Sequence, residues 1–114
     1  MKILHFEDME SNPVQMEGAK DVTIRWLIAK EDGAPNFAMR LFEVQPGGHT
    51  PLHTHPHEHE VFILAGRGVV TDEGTERPIG PEDAILVPGG CQHNFKNTGD
   101  SVLRFLCLIP NSAC

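Results

Sequence analysis

Hydrophobic and polar residues alternate in short runs along this chain, and no apolar pattern of helical period continues for long. Gly, Pro, Asn and Asp interrupt the runs at short intervals, which is typical of a chain that folds into many short strands. The pattern predicts strands near 22–29, 37–45, 52–56, 60–65, 68–72, 76–79, 83–88, 92–96 and 102–109. So many short strands in 114 residues predict an all-β jelly roll or closed barrel with little or no helix.

Length and charge limit the classes of protein to which the chain can belong. Its 114 residues suit one domain, and neither a linker nor a repeat is visible. The formal net charge of −7 argues against a nucleic-acid partner, because phosphate binding needs clustered Lys and Arg. The apolar runs are too short to span a bilayer, and the N-terminus lacks the apolar segment of a signal peptide. We therefore expect a soluble, cytoplasmic protein without a membrane partner.

The cysteines do not suggest a disulfide framework. Cys91, Cys107 and Cys114 are odd in number and widely spaced, which also excludes a paired-cysteine zinc motif. Cys107 lies in an apolar run, where a free cysteine usually behaves as a small hydrophobe. Cys91 lies two residues before His93 and could approach a site there, but nothing in the sequence marks it as a reactive thiol. The terminal Cys114 is expected to be exposed.

Histidines are concentrated in one internal segment. His53, His55, His57 and His59 alternate, and an apolar run follows them directly. Side chains two apart in a strand face the same way, so these four are candidates for one face, with Glu60 on the other unless the strand bends. Neutral imidazole suits zinc, copper, iron and nickel, so the pattern predicts a mononuclear metal site. A metal-scavenging tract and a metal-free structural cluster are the alternatives.

Two motifs resemble those of the cupin superfamily. The first begins at Gly47, continues with His53-Thr54-His55 and Glu60, and ends near Gly66 or Gly68. The second ends with Pro88, Gly90, His93 and Asn97, but Glu82 stands where its opening glycine is expected. The resemblance implies a double-stranded β-helix, the cupin barrel, as a single domain over 1–114, with motifs at about 47–68 and 82–97. Cupins host many chemistries, so the fold alone does not determine the activity.

The resemblance also implies a set of metal ligands. The usual cupin site has three histidines and the motif glutamate, which here are His53, His55, His93 and Glu60. The segment HTHPHEHEVFILAGRG is similar to small single-domain cupins that bind manganese or a similar ion with four histidines, and His59 is then the fourth ligand. We predict one divalent transition metal per chain, Mn or Fe in preference to Ni, Cu or Zn. The predicted ligands are His53, His55, His59 and His93, with Glu60 as the fallback.

Strand alternation also suggests which residues surround the ion. His57 is expected at the barrel mouth because Pro56 breaks the strand, and His49 is expected in a loop. Arg40 is either an outward charge on an exposed sheet face or a buried cation that binds an anionic substrate group. Arg104 is expected to face water, so the alternate residues of that strand should face inward. The predicted pocket lining is Phe95, Phe105, Cys107 and Ile109, and the catalytic candidates are Glu60, Arg40 and Cys107.

Three functions fit such a site. The first is an oxidoreductase of the dioxygenase type, in which a redox-active ion with open positions uses oxygen or peroxide beside a small organic substrate. The second is a non-redox isomerase or lyase with Glu60 or His57 as the base. The third is a binding module without turnover. We also expect a homodimer that hides sheet edges, with contributions from the N-terminal segment and the strand at 22–29.

Overall fold

The fold is described from a computed structural model that covers residues 1–113; the expected exposure of Cys114 falls outside the described residues. Within 1–113 the regular structure is nine strands and three single-turn 3-10 helices, which confirms the all-β prediction. The 3-10 turns are Phe6–Asp8, Lys30–Asp32 and Asn111–Ala113. The strands are β1 Asn12–Pro13, β2 Lys20–Ile28, β3 Phe37–His49, β4 His59–Ala65, β5 Gly68–Asp72, β6 Thr75–Ile79, β7 Ala84–Val87, β8 His93–Asn97 and β9 Leu103–Pro110.

The long strand β3 joins two halves of one curled sheet. Along Phe37–Val44 it pairs with β9, β9 pairs with β4, and β4 pairs with β7. At its end His49 pairs with Lys96 of β8, which continues through β5 to β6. The order is therefore β6-β5-β8-β3-β9-β4-β7, with β2 and β1 attached beyond β3. The sheet folds back on itself as a jelly roll, and its end strands β6 and β7 leave an unpaired seam.

Alternation along β9 shows how the sequence builds the interior. Leu103, Phe105, Cys107 and Ile109 are buried, and the residues between them are partly exposed. Phe105 packs against the rings of Phe95 and Phe42, at centroid distances of 4.8 and 5.4 Å. One face of the strand thus fills the space between the two halves of the sheet, as a period of two requires.

Two features of the histidine segment differ from the prediction. Residues 52–56 do not form a strand, and only His53 makes an isolated bridge, with His93. Pro51 and Pro56 lack an N–H, so this segment cannot continue a ladder. His49 is not a loop residue either, because β3 runs four residues further than predicted and ends on it.

The two motif turns keep left-handed backbone conformations. Gly66 has φ +85°, and a Cβ there would lie 2.5 Å from the Val102 carbonyl oxygen, so no other residue fits without a shift. Glu82, which replaces the opening glycine of the second motif, has φ +71°. The turn is therefore kept despite the substitution, at the steric cost of a left-handed non-glycine residue.

The N-terminal segment covers part of the outer face of the sheet. Arg25 of β2 donates hydrogen bonds to the Phe6 and Met9 carbonyls, at 3.3 and 2.8 Å. Arg104 was expected to face water, but it is half-buried, lies over the Phe6 ring and pairs with Glu43 at 3.2 Å. Within the described residues 1–113, no helix is long and apolar enough to cross a bilayer.

Burial predicts that two phenylalanines differ greatly in their contribution to the free energy of unfolding. Phe105 is 1% exposed and Phe37 is 56% exposed. We expect Phe105→Ala to lower the free energy of unfolding by about 3–5 kcal/mol, because it leaves a cavity between the sheet halves. Phe37→Ala, the matched control, should cost less than about 1 kcal/mol. Urea denaturation measures both; equal losses would show that Phe105 is not a central core residue.

Candidate metal centre

Four histidines come together where the two halves of the sheet meet. His53 and His55 lie in the segment between β3 and β4, and His59 and His93 are the first residues of β4 and β8. Backbone hydrogen bonds of 3.2 and 3.1 Å, each N–H donating to the other residue's carbonyl, join His53 to His93. Gly90 N–H donates to the His55 carbonyl at 2.8 Å. The histidine segment is thus fixed against the turn and strand that present His93.

The imidazole rings face one another closely. Ring centroids are 4.9 Å apart for His53–His55, 5.1 Å for His53–His93 and 5.0 Å for His55–His93. His59 lies 4.4 Å from His55 and 5.2 Å from His93. One nitrogen from each of His53, His55 and His93 lies within 4.8 Å of the others, and the same holds for His55, His57 and His59. Each group separately has the spacing of ligands around one ion, and His59 belongs to the second group.

Three of the rings have a defined tautomer. The Nδ1 atoms of His53, His55 and His93 lie 2.8 Å from the carbonyl oxygens of Pro51, His57 and Cys91 respectively. A carbonyl only accepts, so each Nδ1 carries the hydrogen and each Nε2 keeps its lone pair. Among residues 1–113, the buried Nε2 of His55 has no hydrogen-bond partner. An ion bound at these nitrogens would satisfy that buried acceptor.

His59 has a different environment. Its Nδ1 lies 3.3 Å from Nη2 of Arg40 and 3.2 Å from Sγ of Cys107. Burial and then the positive charge of Arg40 lower the pKa of His59 to about 2. Burial is also the main cause that lowers the pKa of His55, His57 and His93. Unprotonated imidazoles are the form that binds metal, so the cluster is prepared for an ion near neutral pH.

Arg40 is half-buried, and its guanidinium reaches the buried His59 and Cys107. Its Nη2 lies 3.0 Å from Sγ of Cys107, and its guanidinium lies over the rings of Phe42 and Trp26, at 5.0 and 5.6 Å. Its Nε is buried and, within residues 1–113, has no hydrogen-bond partner. Trp26 was not among the residues singled out in the sequence. The β2–β3 register, in which Trp26 pairs with Arg40, is the feature that brings the two together.

The structure does not bring Glu60 to the cluster. Glu60 is exposed and follows the buried His59, so its side chain lies on the outer face of β4. It pairs in register with Leu86 and Leu108 and lines an outer groove with Phe62. The fallback ligand and the catalytic role considered for Glu60 both require the inner face, because neighbouring residues in a strand point to opposite sides. This placement disagrees with both.

The remaining predicted residues fill the interior beneath the histidines. Phe95, Phe105, Cys107 and Ile109 are each at most 4% exposed and pack as core, with Phe95 6.4 Å from the His93 ring. A separate cleft of about 850 Å³ opens along the seam between β6 and β7 and reaches His93. His57, expected at the barrel mouth, is half-buried and stacks on His55 at 3.8 Å. It therefore belongs to the cluster.

The fold and the cluster are those of a known family. The family described as "Cupin domain" matches residues 40–109, which include both motifs and all the clustered histidines. The chain belongs to the cupin family. This confirms the resemblance drawn from the two motifs, and the histidine cluster is compatible with a single metal ion.

Two relatives and two solved structures show the range of this cupin's neighbours. It is 41% identical over 71 residues to a Rhodospirillum rubrum 1-methylthio-D-xylulose 5-phosphate methylsulfurylase, covering 62% of this chain but about half (46%) of that protein. A Thermotoga maritima oxalate-binding protein is 37% identical over 99 residues, covering 82% of this chain and 80% of the relative.

The polyketide cyclase RemF from Streptomyces resistomycificus superposes with a TM-score of 0.92 at 38% identity, over 97% of this chain and 80% of that one. A predicted oxalate decarboxylase from Thermotoga maritima has a TM-score of 0.86 at 27% identity, over 96% and 98%.

The depressed pKa of His59 predicts acid sensitivity of the metal-free protein. The unfolded chain binds a proton near pH 6.5, whereas the folded chain keeps His59 neutral down to about pH 2. Stability must therefore fall as pH falls below about 6.5, by up to about tenfold in the unfolding constant per pH unit for this one group. Urea denaturation in EDTA between pH 7.5 and 5 should show a shallower loss for His59→Gln than for wild type. His5→Gln, at an exposed N-terminal histidine, should keep the wild-type slope; equal slopes for both variants would contradict the assignment.

Proposed function

We propose that the cupin binds one divalent transition metal through Nε2 of His53, His55 and His93, with His59 as the fourth ligand. Three Nδ1–carbonyl contacts, each 2.8 Å, support this, because they leave Nε2 free on three rings whose ligand nitrogens lie within 4.8 Å of one another. A structural cluster without metal gains nothing from burying an unsatisfied Nε2. Mn or Fe is the proposed ion, and Ni, Cu and Zn are the alternatives, because imidazole sites discriminate poorly among them.

The ligand set favours Lewis-acid chemistry. Neutral imidazoles leave a divalent ion its full charge, and Glu60, which would have reduced it, lies on the outer face. Three or four protein ligands on an octahedral ion leave two or three positions for water or substrate oxygens. Such an ion would polarise a carbonyl or hold an enolate. The site therefore suits a small organic molecule with two adjacent oxygen donors.

We propose a small oxygen anion, of which oxalate is the simplest probe, as the ligand class. The name of the Thermotoga maritima relative reports oxalate binding, and that protein covers most of this chain. Arg40 adds positive charge within 3.3 Å of His59, which favours an anion at the cluster. His57 is the candidate base, because burial lowers its pKa and its ring stacks on His55. It would take a proton from the carbon next to a bound carbonyl and return it to a neighbouring position, as an isomerase does.

A dioxygenase-type oxidoreductase is the second candidate. The apolar interior of Phe95, Phe105 and Ile109 lies directly beneath the histidines, and such a surface tolerates an apolar gas beside the ion. A redox-active ion would supply oxygen or peroxide chemistry at the open positions. A binding module without turnover would share the metal and the anion but would show no product.

Metal content provides the first test. We expect about one Mn or Fe per chain in untagged wild type by mass spectrometry of the metal. His55→Gln should lose it, because it removes a fixed ligand, whereas Glu60→Gln should keep it. His49→Gln is the matched histidine control, since His49 lies on β3 away from both histidine groups. Wild type that stays metal-free after reconstitution would contradict the proposal.

Assays of the metal-loaded protein then distinguish between the candidate activities. Oxalate should change the EPR spectrum of the Mn²⁺-loaded protein, and Arg40→Met should weaken that binding by about tenfold. Activity that is kept with Zn²⁺ and without oxygen supports the Lewis-acid reaction, and activity lost under both conditions supports the oxidoreductase. Oxalate binding without turnover of any enolisable carbonyl substrate, with or without oxygen, would leave the binding module as the better account.

We also propose that the protein forms a homodimer through the outer face of β4 and β7. Phe62 and Leu64 are each 40% exposed there, and Leu86 is 62% exposed. Clustered apolar side chains on one sheet face are typical of an interface. The N-terminal segment and β2 remain predicted contributors to the dimer, and β1 pairs with β2 of its own chain.

Sedimentation at micromolar concentration tests this assembly. We expect a dimer for wild type and a monomer for the double variant Phe62→Lys with Leu86→Lys, because two charges would be buried without partners. Leu52 is 52% exposed on the segment before β4, and the control variant Leu52→Lys should remain dimeric. A wild type that sediments as a monomer would contradict the proposal.

A further inference from the structure

His59 is held differently from the other three histidines. The carbonyls that contact Nδ1 of His53, His55 and His93 accept a hydrogen, so those rings are fixed with Nε2 free. Nδ1 of His59 instead faces Nη2 of Arg40 at 3.3 Å. A guanidinium has five N–H donors and no acceptor. The contact is favourable only when Nδ1 of His59 is itself the acceptor.

That contact determines which nitrogen of His59 carries the hydrogen and which has a lone pair that could bind an ion. A neutral ring that accepts at Nδ1 carries its hydrogen on Nε2 and offers no lone pair there. To bind an ion through Nε2, the ring must carry the hydrogen on Nδ1 instead. In the part of the chain that the structure describes, Sγ of Cys107, 3.2 Å away, is the contacting atom that can accept it. Arg40 also donates to this sulfur, at 3.0 Å.

We propose that Arg40 and Cys107 are positioning residues that set the tautomer of His59 and so make it a conditional ligand. His53, His55 and His93 are the fixed ligands. In the metal-free protein, Arg40 keeps the hydrogen of His59 on Nε2. On ligation Nε2 releases its proton to water and Nδ1 takes one from water and donates it to Cys107, so the proton count of the ring is unchanged. The ligand role rests on the proposed function, whereas the metal-free tautomer does not.

The first measurement needs no metal. Two-bond ¹H–¹⁵N correlation spectra of histidine in the metal-free protein at pH 7.5 report which nitrogen of each ring carries hydrogen, and His59→Gln identifies the His59 signals. We expect Nδ1–H for His53, His55 and His93, and Nε2–H for His59. Arg40→Gln places an amide oxygen, which accepts, near Nδ1 and should shift His59 towards Nδ1–H. Arg40→Lys keeps a group that only donates and should keep Nε2–H.

The second measurement is the affinity for Mn²⁺. We expect Arg40→Gln to bind about tenfold more tightly than Arg40→Met, although both remove the charge, because only glutamine accepts from Nδ1. Cys107→Ala should weaken binding about tenfold against wild type, and Cys107→Ser, whose hydroxyl accepts, should restore most of it. With Cu²⁺ as the probe, remote-nitrogen ESEEM should count one imidazole fewer in Cys107→Ala than in Cys107→Ser.

The outcomes separate this inference from the proposed function. Metal-free wild type with His59 in the Nδ1–H form would overturn the inference even if one ion binds per chain. Equal affinities for Arg40→Gln and Arg40→Met would overturn the conditional role. The expected tautomers without metal binding in any variant would support the metal-free assignment of His59 and overturn both the proposed function and the ligand role.

Discussion

The backbone of the segment between β3 and β4 determines the site. It is attached to β8 by the reciprocal His53–His93 hydrogen bonds and to the turn before β8 by the Gly90–His55 bond. Carbonyls of the same segment, from Pro51 and His57, then fix two of its own imidazoles. Because each carbonyl belongs to a residue two positions away, local backbone geometry orients the rings. The rest of the barrel has to hold this one segment in place.

The jelly roll meets that requirement by joining its two halves beside the site. β3 pairs with β9 in one half and reaches β8 in the other, so the strands that carry His59 and His93 are brought within 5.2 Å of each other at their rings. Phe95 and Phe105 fill the space beneath. Core packing and the geometry of the histidine cluster are therefore coupled: a change in the spacing between the sheet halves would also change the spacing of the imidazole nitrogens.

Sequence patterns predicted the strands well where one face is apolar, as in β9, because a period of two identifies the buried side. They failed at 52–56, where the alternation of histidines resembled a strand but Pro51 and Pro56 prevent a ladder. Alternation could not decide whether the Arg40 side chain faces inward or outward, since both faces of β3 carry apolar residues. The contacts of the Nδ1 atoms could not be predicted either, because they depend on the path of an irregular segment. The contact between Trp26 and Arg40 could not be predicted because it depends on a strand register that is set by bulges in β2.

Because of the unpaired seam between β6 and β7, the histidine cluster and much of the wall of the cleft beside it lie on different strands. The clustered histidines lie on the segment before β4 and at the starts of β4 and β8, whereas much of the cleft wall is formed by β6 and β7, which carry none of them. Side chains at the seam can change in size without breaking a strand pair, because the two strands are not hydrogen-bonded to each other. Divergent members of a lineage could thus acquire new ligand preferences there while inheriting the histidine cluster intact.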